Sequence, residues 1–144
     1  MPSLPTEDLA RRLDGIVAFL PLFGSPGFDF GHWVTSRPDE PDVLIFPYFA
    51  LSVTAEKFVK ATYAFGWVVS DFDWQTWAET TEAAELHDGG NVLENASPEQ
   101  LAKLLTWQIR LDRFSEGSLS RSFSSGLLPN ILRRAKAIRV GLKI

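Results

Sequence analysis

The chain has 144 residues, of which 45% are hydrophobic, and its formal net charge is −4. Five tryptophans and eleven phenylalanines can supply a sizeable core, because each aromatic side chain buries about 150–250 Å². The absence of cysteine excludes disulfides, thiolate zinc sites and cysteine nucleophiles. The two histidines, His32 and His87, are too far apart in sequence to form a helical ligand pair, so we predict neither a metal nor a cofactor.

The first twenty residues do not resemble an export signal, since charged side chains such as Arg11 and Arg12 interrupt any apolar stretch. No apolar stretch approaches the roughly 20 residues needed to span a membrane. We therefore expect a cytoplasmic protein without a membrane partner. The length favours a single domain over residues 1–144.

Hydrophobic spacing predicts a first helix from about residue 6 to 23, which the sequence Gly24-Ser25-Pro26-Gly27 should end. Residues 28–47 should form an ordered irregular segment with an exposed turn at 37–41 and a short strand at 43–46, limited by Pro47. The later helices are predicted over 54–65, from 71 or 73 to 86, 98–114, 116–124 and 129–140. We expect a mainly α fold, a single compact domain of five or six helices with at most a minor β-hairpin or short strand near residues 43–46.

Charge is distributed unevenly along the chain. Residues 61–102 contain eight acids and no Lys or Arg, whereas residues 103–144 have a net charge of +7. Pairing of the two segments within the fold is the simpler interpretation. Binding of a charged partner by one of them is the alternative.

The helix that begins at Ser97-Pro98-Glu99-Gln100, a capping-box sequence, bears a narrow polar stripe. The stripe comprises Lys103, Thr106, Arg110 and Arg113, with Glu116 three residues further on. Two guanidinium groups one turn apart can hold a phosphate or a carboxylate. Alternatively, and more simply, these arginines pair with acids inside the fold, at a helix end where cations suit the macrodipole.

No catalytic residue is predicted. Asp71 and Asp73 lie two residues apart beside aromatic residues, but helix capping explains them more simply than catalysis does. His32 fits a loop residue better than a general base. No nucleophile elbow, phosphate-binding glycine loop or Rossmann signature occurs, so the sequence favours a non-enzyme without excluding one.

Several sequence blocks resemble the family called domain of unknown function 6508. The blocks are Gly31-His32-Trp33, Pro47 to Ser52, Gly66-Trp67-Val68, Phe72-Asp73-Trp74, Leu104-Leu105-Thr106, Arg110, Arg113 to Gly117, Gly126-Leu127-Leu128 and Ile131 to Arg134. The resemblance spans roughly residues 9–138 and implies a bacterial or phage origin, but it supplies no activity or catalytic residue. It also implies a shared role for the polar stripe, for which a buried ion-pair network between helices would suffice.

We predict a small binding module whose partner is another protein, contacted by the tryptophan-rich acidic segment 67–88 through Trp74 and Trp77. The first alternative is a binder of anions or nucleic acid. It would use the basic side chains of the C-terminal third, namely Arg110, Arg113, Arg133, Arg134, Lys136 and Arg139. The second alternative is an enzyme acting on a phosphate- or carboxylate-bearing small molecule, with Arg110 and Arg113 as a clamp.

Overall fold

In a computed structural model of the protein, residues 5–37 and 39–143 are described and form nine helices and one antiparallel strand pair. In chain order the elements are α1 (Pro5–Val17), α2 (Leu20–Phe23), β1 (Gly31–Arg37), β2 (Glu40–Leu51), α3 (Val53–Ala64), α4 (Trp74–Ala78), α5 (Thr81–Asp88), α6 (Gly90–Glu94), α7 (Pro98–Leu111), α8 (Ser118–Ser124) and α9 (Leu127–Gly141). The prediction of a mainly α fold with a minor β-hairpin is confirmed. Six helices have seven residues or more, in agreement with the predicted five or six. The other three, α2, α4 and α6, have only four or five residues each.

Side-chain caps explain where several helices begin. The Ser97 hydroxyl accepts a hydrogen bond from the Gln100 N–H (3.1 Å), and the Gln100 side chain accepts one from the Ser97 N–H (2.9 Å). This is the capping box that the sequence predicts for α7. The helix predicted to run to residue 86 is interrupted, because the Thr80 hydroxyl accepts from the Ala83 N–H (3.2 Å) and starts a new helix, α5.

The β-hairpin is longer than the predicted strand at 43–46. Its register pairs Gly31 with Leu51 and Val34 with Tyr48, and then shifts so that Ser36 pairs with Leu44. Between these last two pairs β2 holds more residues than β1, which is a bulge, and Pro47 lies in it. Because a bulged residue makes no regular ladder bond, the proline is tolerated inside the strand. The predicted turn at 37–41 includes Pro38, which lies outside the described residues.

The core lies between α7, α9 and the helices around them. Leu101, Leu104 and Leu105 of α7 are fully buried, as are Ile131 and Leu132 of α9. These side chains belong to one continuous hydrophobic cluster.

A second part of that cluster is aromatic. The Phe23 ring lies 5.1–6.0 Å, between centroids, from five other phenylalanine rings. Those five are Phe19, Phe28, Phe30, Phe58 and Phe123. Rings at this distance and tilt attract one another beyond their area of burial. The cluster therefore joins α2, the start of the hairpin, α3 and α8.

Candidate functional site

Thr106 of the predicted stripe is fully buried and makes a structural link. Its hydroxyl donates to the Ala102 carbonyl (2.7 Å) and accepts from the Val69 N–H (3.0 Å). Val69 lies in the segment between α3 and α4. Thr106 therefore holds this segment against α7 and is not available to a ligand.

The other members of the stripe contact different elements. The Arg113 guanidinium donates to the Tyr63 hydroxyl of α3 (3.3 Å), and the Glu116 carboxylate accepts from the Phe49 N–H of β2 (2.8 Å). Arg110 Nε is buried and has no hydrogen-bond partner among the described residues. The ion-pair network suggested for this stripe is not present in the described residues, because none of their salt bridges includes Arg110, Arg113 or Glu116. The stripe instead connects α7 and the turn after it to three other parts of the fold.

Five of the surface cavities in the described part of the chain have volumes of about 270–510 Å³, and neither Arg110 nor Arg113 lines any of these five. A phosphate or carboxylate clamp needs both guanidiniums to face a concave site. None of these five cavities therefore has the lining of such a clamp.

The predicted tryptophan contact surface is largely inside the molecule. Trp67 and Trp77 are buried, and Trp74 is half-buried beside the Phe114 ring. The Trp67 indole donates to the Arg12 carbonyl (2.7 Å), and the Trp77 indole donates to Glu82 (2.8 Å). These residues pack the segment 67–88 onto the core, and of the three tryptophans Trp74 alone keeps a partly exposed side chain.

The basic side chains of α9 are mostly engaged by neighbouring groups. Arg134 donates to the Ala96 carbonyl (2.9 Å), and Arg133 donates to Asn130 (2.6 Å). Arg139 forms a salt bridge with Asp14 of α1 (2.8 Å). Lys136 is exposed. These contacts attach α9 to its neighbours.

The acidic segment does not pair with the basic one through direct salt bridges in the described residues. The salt bridges found there join Asp8 to Arg11, Glu40 to Arg37 and Asp14 to Arg139. The eight acids of residues 61–102 are all exposed. The simpler interpretation of the charge distribution, direct pairing within the fold, therefore finds no support from these contacts.

Asp73 is the N-cap of α4, as capping predicts. Hydrogen bonds from the Thr76 hydroxyl (2.6 Å) and then from the Thr76 N–H (3.2 Å) lower the pKa of this carboxyl below its ordinary value of 3.8. A catalytic acid would need the opposite shift, which burial in an apolar pocket produces. His32 is exposed on β1, and among the described residues no acid or hydroxyl forms a hydrogen bond with its imidazole.

Two further findings bear on the kind of site. Among the described residues, no group of three or more His, Cys, Asp or Glu side chains could hold a metal ion. In the same residues, no helix is both long enough and apolar enough to cross a membrane.

The β-hairpin carries a surface that sequence reasoning missed. Of the eleven large apolar residues exposed in the described part of the chain, five lie between residues 33 and 48. Phe46 is 95% exposed and Leu44 82%, while Tyr48 and Trp33 are close to half exposed. Residues 43–49 form an unbroken apolar run without the apolar–polar alternation of a half-exposed strand, so the sequence carries no signal for the exposure of Leu44 and Phe46.

The base of the hairpin is held against the helical body. Besides the bond from Phe49 to Glu116, the Trp33 ring lies over Gly117, which has φ +85°. A Cβ at residue 117 would lie 2.7 Å from Trp33 Cζ2, so glycine is needed both for its backbone conformation and for this contact. The exposed apolar side chains are therefore carried by an element with a defined attachment.

These features define the class of protein: a mainly α-helical domain that presents one β-hairpin with an exposed apolar surface. The chain belongs to the family of unknown function DUF6508, whose model matches residues 9–141, in agreement with the resemblance of its sequence blocks. No curated protein and no solved structure matches the chain.

Proposed function

We propose that the protein is a protein-binding module and that the β1–β2 hairpin is its contact element. The supporting observation is the concentration of exposed large apolar side chains on this hairpin, with Phe46 95% and Leu44 82% exposed. Contiguous exposed apolar surface is typical of interaction sites, whereas single apolar residues on a surface need no explanation. Aromatic residues also contribute most to binding energy in protein interfaces.

The chemistry of the hairpin suggests the kind of partner. Three acidic residues, Asp39, Glu40 and Asp42, are exposed near the tip of the hairpin. The one basic residue described there is Arg37, whose Nη1 lies 3.8 Å from Glu40 Oε2. The partner should therefore be a polypeptide segment with apolar side chains and basic residues beside them. Each strand of the pair has one edge without a strand partner in the described residues, so an extended segment can add to the sheet.

Site-specific photo-crosslinking tests this proposal. A photoreactive amino acid at Phe46 should give one discrete adduct with a protein of the native host, and the substitution Leu44→Ser should weaken the adduct several-fold. The same amino acid at Val140, which is 70% exposed on α9, is the matched control and should give none. Equal adducts at both positions, or crosslinks to nucleic acid alone, would contradict the proposal.

We also infer that the protein acts in the cytoplasm of a bacterial cell, or in one infected by a phage. The resemblance of the sequence blocks and the lack of cysteine support this inference. Fractionation of the native host, followed by detection with an antibody, checks the location directly.

A further inference from the structure

A cavity of about 270 Å³ lies between α7 and the segment that joins α3 to α4, beside α1. Four of its lining residues, Val69, Phe72, Pro98 and Ala102, are apolar, and the other three are charged. None of the seven lies on the hairpin, so this cavity is independent of the proposed contact surface.

The walls of the cavity are held in place by bonds within the fold. The Val69 N–H donates to the Thr106 hydroxyl of α7 (3.0 Å), and the Trp67 indole donates to the Arg12 carbonyl of α1 (2.7 Å). A capping box fixes the first turn of α7, which forms another wall. Because the walls are already positioned, a ligand that enters does not have to order them, which favours affinity.

The Arg12 guanidinium is fixed at one side of the cavity. Its Nε donates to the Phe65 carbonyl (3.1 Å) and its Nη2 to the Gly66 carbonyl (3.0 Å). Its Cζ also lies 4.8 Å from the centroid of the Trp67 ring. The Nη1 group has no hydrogen-bond partner in the described part of the chain, and it is not one of the buried polar atoms there, so it is open to solvent. Arg12 is therefore a positioned cation with N–H groups still available.

Lys103 supplies a second cation. Its side chain is half-buried, and its ammonium lies 5.8 Å from the centroid of the Phe72 ring, within the range of a cation–π contact. Among the described residues the ammonium forms no hydrogen bond and no salt bridge, and it is not a buried atom. Glu99 is the one carboxylate of the lining, and no salt bridge joins it to either cation. Positive charge therefore exceeds negative charge at this cavity.

The combination of apolar walls and available cations indicates the ligand. The two oxygens of a planar carboxylate can accept hydrogen bonds from a guanidinium and from an ammonium group. A phosphate dianion would place a second negative charge near Glu99 and would gain nothing from the apolar walls. We propose that this cavity binds a small monocarboxylic acid with an apolar body.

The size of the cavity suits such a molecule. An apolar cavity of about 150 Å³ is large enough to hold benzene. A cavity of about 270 Å³ therefore admits a ring, or a short alkyl chain, together with its carboxylate.

Titration calorimetry and amide NMR of the full chain test the site, with benzoate, hexanoate, benzamide and acetate as probes. Benzoate or hexanoate should bind and shift the amides of residues 69–72 and 99–103, and the tighter of the two identifies an aromatic or an aliphatic body. Benzamide lacks the charge and acetate lacks the apolar body, so each should bind at least tenfold more weakly. Absence of binding by benzoate and hexanoate at millimolar concentration overturns the proposal, as does equal binding of benzamide or acetate.

Matched variants separate the site from general charge effects. Lys103→Gln should weaken binding of the tighter acid several-fold, whereas Lys136→Gln, at an exposed lysine on α9, should leave it unchanged. Glu99→Gln removes the negative charge from the lining, so it should strengthen binding, while Glu85→Gln, at an exposed residue of α5, should not. The Glu99 pair keeps the test decisive if Lys103→Gln does not fold. Unchanged binding in both Lys103→Gln and Glu99→Gln overturns the proposal.

Discussion

At the scale of single residues, hydrogen bonds from buried side chains connect elements that lie far apart in the chain. Thr106 is the clearest example, because its hydroxyl is the partner of the half-buried Val69 N–H. Trp67 has a similar role through the bond from its indole to the Arg12 carbonyl. The first bond holds the segment between α3 and α4 against α7, and the second holds it against α1.

Thr106→Val should destabilise the protein by about 1–3 kcal/mol, because it keeps the side-chain shape but leaves the Val69 N–H without an acceptor. The measurement is the free energy of urea unfolding. Thr81→Val is the control: Thr81 is exposed, so its replacement should change stability by less than about 0.5 kcal/mol. Equal losses in the two variants would show that the buried hydroxyl is not an important link.

At the scale of elements, the hairpin differs from the helices in how it is stabilised. A two-stranded hairpin alone is marginal in water. Here its base is attached through Glu116 and through the contact of Trp33 with Gly117, and its outer part is exposed. The orientation of the proposed contact surface thus depends on two residues of the turn between α7 and α8.

Gly117→Ala should displace the Trp33 ring, because the added Cβ would lie 2.7 Å from it. The expected result is a changed NMR shift of the Trp33 indole N–H, together with a stability loss of about 1–2 kcal/mol from the left-handed backbone. Gly27→Ala is the matched control, since Gly27 has φ +75° and no atom within 4 Å of the added Cβ. It should show the same kind of stability loss without the indole shift, and an indole shift in both variants would refute the contact.

At the scale of the whole molecule, the apolar side chains divide into two groups with different physical roles. Leu105 is fully buried in the core, while Phe46 is almost fully exposed on the hairpin. The first group stabilises the fold by leaving water. The second does not stabilise the isolated chain, and this is why we assign it to binding.

Leu105→Ala should therefore cost about 2–5 kcal/mol of unfolding free energy, since it removes buried methyl groups and leaves a cavity. Phe46→Ser should change the same quantity by less than about 0.5 kcal/mol. Chemical denaturation of the two variants under identical conditions makes the comparison. A large loss for Phe46→Ser would mean that the hairpin surface is buried within this chain.

The fold class, the capping box of α7 and the capping role of Asp73 were all predictable from the sequence. Each depends on local physics: a hydrophobic period, or a side chain that bonds to a backbone N–H three residues away. The family, too, was recognisable from ordered sequence blocks.

What the tertiary structure alone decided was the partner of each side chain and the exposure of each apolar residue. The stripe on α7 looked like an anion clamp or an ion-pair network, yet Thr106, Arg113 and Glu116 each contact a different element. Trp77 and Phe46 are both large aromatic residues that the sequence does not distinguish, yet Trp77 is buried and Phe46 is exposed. Local spacing shows which residues share a face, but it does not show which element packs on that face, because such contacts join residues far apart in the chain.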